Sequence, residues 1–286
     1  MAIRDQSYKR YDGPIEERLI WAVIGWNGFR TYLKFWRMRL ALLAVWMIPL
    51  LFALLILGEA AFSDSAQLMQ QTGGPSHLGL SLFISLQVFA LGLVYAARGC
   101  GIISDDLRHR TFQLYFSKPI TRLDYAAGKV TTLLLVGVLA VILPAAMLVG
   151  LRTLFFVQTD YLGAILVLHL QGMLLLVVLV AMLASVLVGL SSLTRSGGYA
   201  VLAWIGVLVV PLIIQTILAV TTGGSPWIRL LSLNGIIALA ADAWMGGADA
   251  MPAEISRWVP FAAIASLIAA GLGMLRWRLE RLDRTS

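Results

Sequence analysis

Apolar residues in this chain fall in long unbroken runs, not in the alternation of strands or the one-sided stripes of soluble helices. A bilayer core about 30 Å thick takes roughly 20 residues of helix to cross. Helix is required because hydrocarbon offers no partners to backbone polar groups. Six runs meet that length: residues 40–58, 79–97, 130–151, 161–193, 198–220 and 258–275. The fourth has 33 residues, about 50 Å of helix, so it is predicted to tilt or to project beyond the bilayer. Pro49, Pro144 and Pro211 lie inside runs and are expected to kink them. A seventh run, 226–247, contains Arg229, Asn234, Asp242 and several glycines. A central charge costs about 2.5–3.5 kcal/mol even on the lenient insertion scale, so this run is predicted to be a re-entrant or interfacial pair of short helices.

Composition agrees with a membrane class. Hydrophobic residues make up 59% of 286 positions and charged residues 13%, against roughly 25% charged in soluble domains; the mean hydropathy is +0.85. The first run starts near Leu40, too late for the apolar part of a signal peptide. The net charge is +7, and its distribution decides the orientation. With six spans, one side receives residues 1–39, 98–129, 194–197 and the tail, which together hold 19 of the 22 Lys and Arg. Arg152, Arg229 and Arg257 fall on the other side, with Glu59, Asp64, Asp160, Asp242, Asp249 and Glu254. The positive-inside rule then places both termini in the cytoplasm, and a seventh span would put the four tail arginines outside. The expected product is an all-α integral membrane protein, multi-pass in the cytoplasmic (inner) membrane. It forms a single domain over 1–286, with an interfacial segment 1–39, a six-helix region 40–275 and a cytoplasmic tail 276–286.

Two stretches on the cytoplasmic face carry more pattern than apolarity. Residues 16–39 read as an amphipathic helix lying on the membrane. Asn27, Arg30, Lys34 and Arg37 form a polar stripe, opposite Phe29, Leu33 and Trp36, with Trp21 and Trp26 at headgroup level. The stretch between spans two and three is longer than connectivity requires. Ser104 is predicted to cap a helix whose first turn carries Asp105 and Asp106. Pro119 disfavours helical geometry at Lys118 and ends that helix. Thr121 is predicted to cap a second helix with Asp124 as its capping-box partner, running directly into span three. A long, charged, amphipathic connection suits docking of a soluble partner, or contact with anionic lipid through Arg108, Arg110, Lys118 and Arg122.

Other chemistry is sparse. Cys100 is alone, which excludes a disulfide or Cys-based metal framework. His77, His109 and His169 lie far apart and form no metal-ligand spacing, so no metal is expected. Gln87, His169, Gln171 and Gln215 sit in or near apolar spans, where a polar residue serves either a substrate pathway or an interhelical hydrogen bond. Ala184, Ser185, Gly189 and Ser192 in span four permit close helix approach or a dimer contact. No GxxxxGK[ST] phosphate loop is present: Leu123 and Val130 occupy the positions around Gly128-Lys129 that such a loop reserves for Gly and Ser/Thr. Ser196-Gly197-Gly198 reads as a tight turn between spans four and five. The chain is therefore not expected to be an enzyme, and no nucleic-acid partner is expected.

The connection between spans two and three resembles the signature region of ABC-2 type permeases. There an acidic residue precedes a gly-thr-x-x-x-leu-leu-ser-x-pro-ile-ser-arg run that ends in gly-lys. Asp105 or Asp106 takes the acidic place, Thr111 the threonine, Ser117 to Arg122 the central run, and Gly128-Lys129 the end. Asp stands for the usual Glu, Arg110 for the glycine, and Tyr115-Phe116 for Leu-Leu. The resemblance implies the type V fold and a coupling helix over about 102–117 seated on a separate ATP-binding subunit. It further implies a second permease subunit, as a homo- or heterodimer, with ATP and magnesium bound by the partner and no cofactor bound by this chain. The coupling contacts it implies are Asp105, Asp106, Leu107, Arg110, Thr111, Phe112, Leu114, Pro119, Arg122, Gly128 and Lys129. Trp26, Arg30, Lys34, Trp36 and Arg37 mark the interfacial helix. The function so implied is ATP-driven movement of a substrate across the membrane, with export favoured. The competing readings are an ion-gradient-driven secondary transporter and a non-transporting membrane anchor of an ATPase complex. The first usually shows internal repeats and paired broken helices around intramembrane charges, and neither is visible here; a flux assay separates the second.

Overall fold

The structure, a computed structural model, describes residues 19–62, 77–109, 111, 120–156, 162–222, 224–246 and 250–283. Six helices in it are long and apolar enough to cross a membrane, as the runs predict. Helix α1 (Ile20–Lys34) precedes span one, α2 (Trp36–Phe62). Span two is α3 (His77–Val94), followed by a wide π-type turn, Tyr95–Gly99, and α4 (Gly101–His109). Span three comprises α5 (Arg122–Gly137), a second wide turn, Val138–Ile142, and α6 (Leu143–Phe156). Spans four, five and six are α7 (Leu162–Leu193), α8 (Gly197–Thr221) and α10 (Val259–Asp283). Between the last two lie a 3-10 helix, Pro226–Leu231, and α9 (Leu233–Met245).

Span four is the central post. In its most apolar stretch 61% of residues are buried, against 11% in span five. Its closest neighbour is span six, because two glycines remove the side chains between the backbones. A Cβ on Gly189 would lie 2.6 Å from the Gly271 carbonyl oxygen, and one on Gly271 would overlap the Ser185 carbonyl. The small residues of span four, Ser185 and Gly189, are thus used inside the chain. A similar close approach joins α1 to α5, where a Cβ on Gly25 would lie 2.6 Å from Thr131 Cγ2 and one on Gly128 2.6 Å from Ile24 Cγ2. The Thr132 hydroxyl sits in that crossing and donates to the carbonyls of Gly25 (3.3 Å) and Gly128 (3.1 Å).

The three intraspan prolines behave differently. Pro49 and Pro211 lie within continuous helices, whereas Pro144 follows the wide turn of span three, where Leu143 N–H reaches back five residues to Val138. Pro144 has no N–H, so the Ala140 carbonyl, four residues earlier, loses its regular partner. Gln87 of span two supplies one at 2.7 Å, and Trp46 of span one donates to the neighbouring Leu139 carbonyl at 3.2 Å. Two further aromatic donors join spans in the same way: Tyr95 to Leu133 (2.8 Å) and Trp204 to Gly92 (2.7 Å).

The run expected to form two short helices does so. At 13 residues, about 20 Å, α9 is too short to span. Ser232 caps it by accepting the Gly235 N–H at 2.9 Å, and Arg229 pairs with Asp242 at 3.4 Å, tying the 3-10 turn to α9. The aromatic set Trp244, Phe261 and Trp258 lies beside it, with ring centroids 5.9 and 6.4 Å apart.

Some boundaries differ from expectation. The helix expected over residues 16–39 ends at Lys34: Phe35 is extended, and Arg39 Nε donates to the Leu33 carbonyl at 2.7 Å. Trp36 and Arg37 therefore begin span one. At the other end, span six continues as helix through the expected tail, stabilised by Arg276–Glu280 (2.9 Å) and by Arg281 stacked 4.1 Å over Trp277.

Candidate functional site

The stretch after span two was expected to be a loop carrying its own capped helix. In the structure α4 instead prolongs span two beyond the turn at Cys100, and Ser104 lies in its interior. The Ser104 hydroxyl bonds back to the Cys100 carbonyl at 3.2 Å and is fully buried. Asp105 and Asp106 accordingly lie in the middle of the helix, not in its first turn. The physical reason is burial. Ile102, Ile103 and Leu107 face the core, and that apolar side keeps the segment packed on spans four and five. The role of cap is taken in trans by Ser191 of span four, which accepts the N–H groups of Ile103 and Ser104 at 3.1 Å each.

The two acids separate. Asp106 points at span three: its Oδ2 lies 2.6 Å from Lys129 Nζ and accepts the Tyr125 hydroxyl proton at 2.6 Å. Tyr125 and Lys129 are four residues apart, so they share one helical face, and the Lys129 ammonium also stands 5.3 Å over the Tyr125 ring. With the side chains of Lys129 and Asp106 14% and 17% exposed, water screens this cluster far less than a surface pair. The Asp106 carbonyl further accepts the Thr111 N–H and hydroxyl at 3.1 Å each. Asp105 points at span five, where a Cβ on Gly197 would lie 3.0 Å from its Oδ1. A carboxylate at a helix amino end meets the positive end of the helix dipole.

Span three begins as predicted. Thr121 accepts the Asp124 N–H at 3.1 Å while Asp124 Oδ2 accepts the Thr121 N–H at 3.2 Å. Of the residues expected to carry coupling, Leu107 is buried in the core and Gly128 is buried against α1, so these two anchor the site from within. Arg122 is exposed, as are Arg108, His109, Thr121 and Leu123. Arg110, Phe112, Leu114 and Pro119 lie outside the described residues.

Helix α1 adds a third wall. Trp26 and Arg30 stack at 5.5 Å and are exposed, as is Lys34. Arg98 at the end of span two lies 4.0 Å over the Phe35 ring. A cavity of about 350 Å³ opens beside the Asp106 cluster between α1, α4 and α5, lined by Asn27, Thr31, Tyr32, Ile102, Lys129 and Thr132 among others. Burial pushes the Tyr32 phenol up from its ordinary range; Arg98 opposes this and the two acids reinforce it. Among the described residues no group of three or more His, Cys, Asp or Glu is placed to hold a metal ion.

The intraspan polar residues do not converge on one place. Gln87 holds the Ala140 carbonyl, His169 Nδ1 donates to the Ile165 carbonyl of its own helix at 2.7 Å, and Gln215 accepts the Ser232 hydroxyl at the start of α9. The Gln171 backbone carbonyl accepts from Trp244 at 3.0 Å. Ser191, Tyr125, Trp46 and Trp204 carry cross-span bonds that no sequence pattern signals, because each contact joins positions far apart in the chain. No curated protein matches this chain. The family model described as ABC-2 family transporter protein does match it, over residues 30–283. With six membrane-length helices and that match over most of its length, the chain belongs to the ABC-2 family of transporter membrane proteins.

Proposed function

We propose that this permease works as one of two membrane halves, with a separate ATP-binding subunit docked on α4 and the exposed residues around it. Both termini face the cytoplasm of the inner membrane, following the 19 cations on that side. ATP and magnesium belong to the docked subunit. The observation that carries this reading is the Asp106–Tyr125–Lys129 cluster, which ties α4 to the first turns of span three. A push on α4 is passed to span three because displacing it otherwise separates a mostly buried ion pair. Span three carries α1 with it through the Gly25–Gly128 crossing, so one displacement moves three elements. The substrate passes between the two halves, and export is the favoured direction. The short helices before span six are re-entrant from the extracytoplasmic side, at the level of Trp244 and Trp258.

Co-purification with an ATP-binding protein, followed by charge reversal, tests the reading. The wild-type chain is expected to hold the subunit and to alter its ATP hydrolysis. Asp106→Lys is expected to abolish that alteration, and adding Lys129→Asp to restore part of it. If no stable complex forms, or if D106K leaves hydrolysis unchanged, the docking assignment fails.

A further inference from the structure

Nothing in the sequence distinguishes Ser191 from the other polar residues that close span four. In the fold its side chain is fully buried and stands opposite the break at Cys100. Its hydroxyl donates to the Cys100 carbonyl at 2.7 Å and accepts from Ile103 N–H and Ser104 N–H at 3.1 Å each. A serine hydroxyl has one proton and two lone pairs, so all of its bonding capacity is spent on this junction. The first N–H groups of any helix lack partners inside it. Usually the residue just before the helix supplies an oxygen, and such a local cap moves with its helix. Here the oxygen comes from another span, the most buried in the molecule.

The two ends of α4 are thus held by different elements. Its amino end is fixed to span four by Ser191, and Asp106, one turn from its carboxyl end, is fixed to span three by Lys129 and Tyr125. We infer that Ser191 is a positioning residue, the pivot about which α4 turns when its partner subunit moves. Held at the amino end, α4 rotates instead of sliding, and the displacement is delivered to span three. This inference rests on the reading of α4 as the docking helix.

Spin labels at Leu123→Cys and Tyr199→Cys, which are 80% and 70% exposed, report the starts of spans three and five. The native Cys100 is fully buried and stays unlabelled. Distances are measured by electron-electron resonance on the complex in lipid nanodiscs, without nucleotide and with ATP, magnesium and vanadate. The labelled parent is expected to show a nucleotide-dependent shift. Ser191→Ala is expected to keep affinity for the ATPase subunit within about threefold, a difference below 1 kcal/mol, and to lose at least half of the shift. Ser191→Thr keeps the hydroxyl and is expected to restore it. If S191A does not fold, Ser191→Cys, a weaker donor of similar size, takes its place in the comparison. A full shift in S191A overturns the pivot, as does an S191T protein no better than S191A, which makes the serine a packing element only. A parent that binds its subunit yet shows no shift also overturns it. A chain that binds no ATPase subunit even without labels removes the docking reading as well, so the two failures are distinguishable.

Discussion

Pro144 sets up a test in which two substitutions have opposite consequences alone and together. The proline leaves the Ala140 carbonyl without its regular donor, and Gln87 Nε2 fills the vacancy at 2.7 Å from a fully buried position. Removing the donor by Gln87→Leu strands a buried carbonyl, which costs about 1–3 kcal/mol in general. Interhelical bonds inside membranes average nearer 0.6 kcal/mol and reach about 1.7. Gln87 Oε1 has no partner among the described residues, so losing it returns part of the cost. The expected net loss for Q87L is about 1 kcal/mol. Pro144→Ala restores an N–H four residues after Ala140, and in that background Q87L is expected to be neutral or stabilising. Reversible unfolding in mixed detergent micelles of the parent, of Gln87→Leu, Trp46→Phe and Pro144→Ala alone, and of each of the first two combined with Pro144→Ala measures the coupling. If the wide turn persists in P144A, the new N–H reaches the Leu139 carbonyl instead, and Trp46→Phe becomes the substitution without cost. Additivity within about 0.5 kcal/mol for both pairs refutes the account.

Three further outcomes follow from the same geometry. Lys129→Met leaves a mostly buried Asp106 with Tyr125 alone and is expected to destabilise the protein by about 1–3 kcal/mol, while adding Asp106→Asn recovers most of the loss in the same unfolding assay. Gly271→Leu drives a side chain into the Ser185 carbonyl and is expected to abolish the monodisperse peak in size-exclusion chromatography. Gly273→Ala, where no neighbour among the described residues lies within 4 Å of the added Cβ, is expected to leave that peak unchanged. Cys100 is expected to resist a membrane-permeant maleimide in the folded protein and to react fully in denaturant; labelling under native conditions contradicts its burial.

Apolar run length, together with the charges that set the seventh run apart, was enough to count six helices of membrane length, since hydrocarbon admits few other ways to satisfy a backbone. Local chemistry was equally legible where its partners are neighbours in the chain. The Thr121–Asp124 capping box lies three residues apart, and the two short helices before span six are set off by their charges and glycines. The motif around Asp105 to Lys129 identified the family without revealing what its residues touch. Tertiary structure alone decided that α4 prolongs span two, because its direction depends on Ile103 and Leu107 packing in the core and on a serine 87 residues later in the chain. It also decided that the two adjacent acids serve different spans, and that the small residues of span four meet span six inside the chain. Gln87 shows the difference most plainly. A glutamine in an apolar run signals a polar partner, but that partner is a carbonyl released by a proline in another helix, and only the packing of spans two and three brings them together.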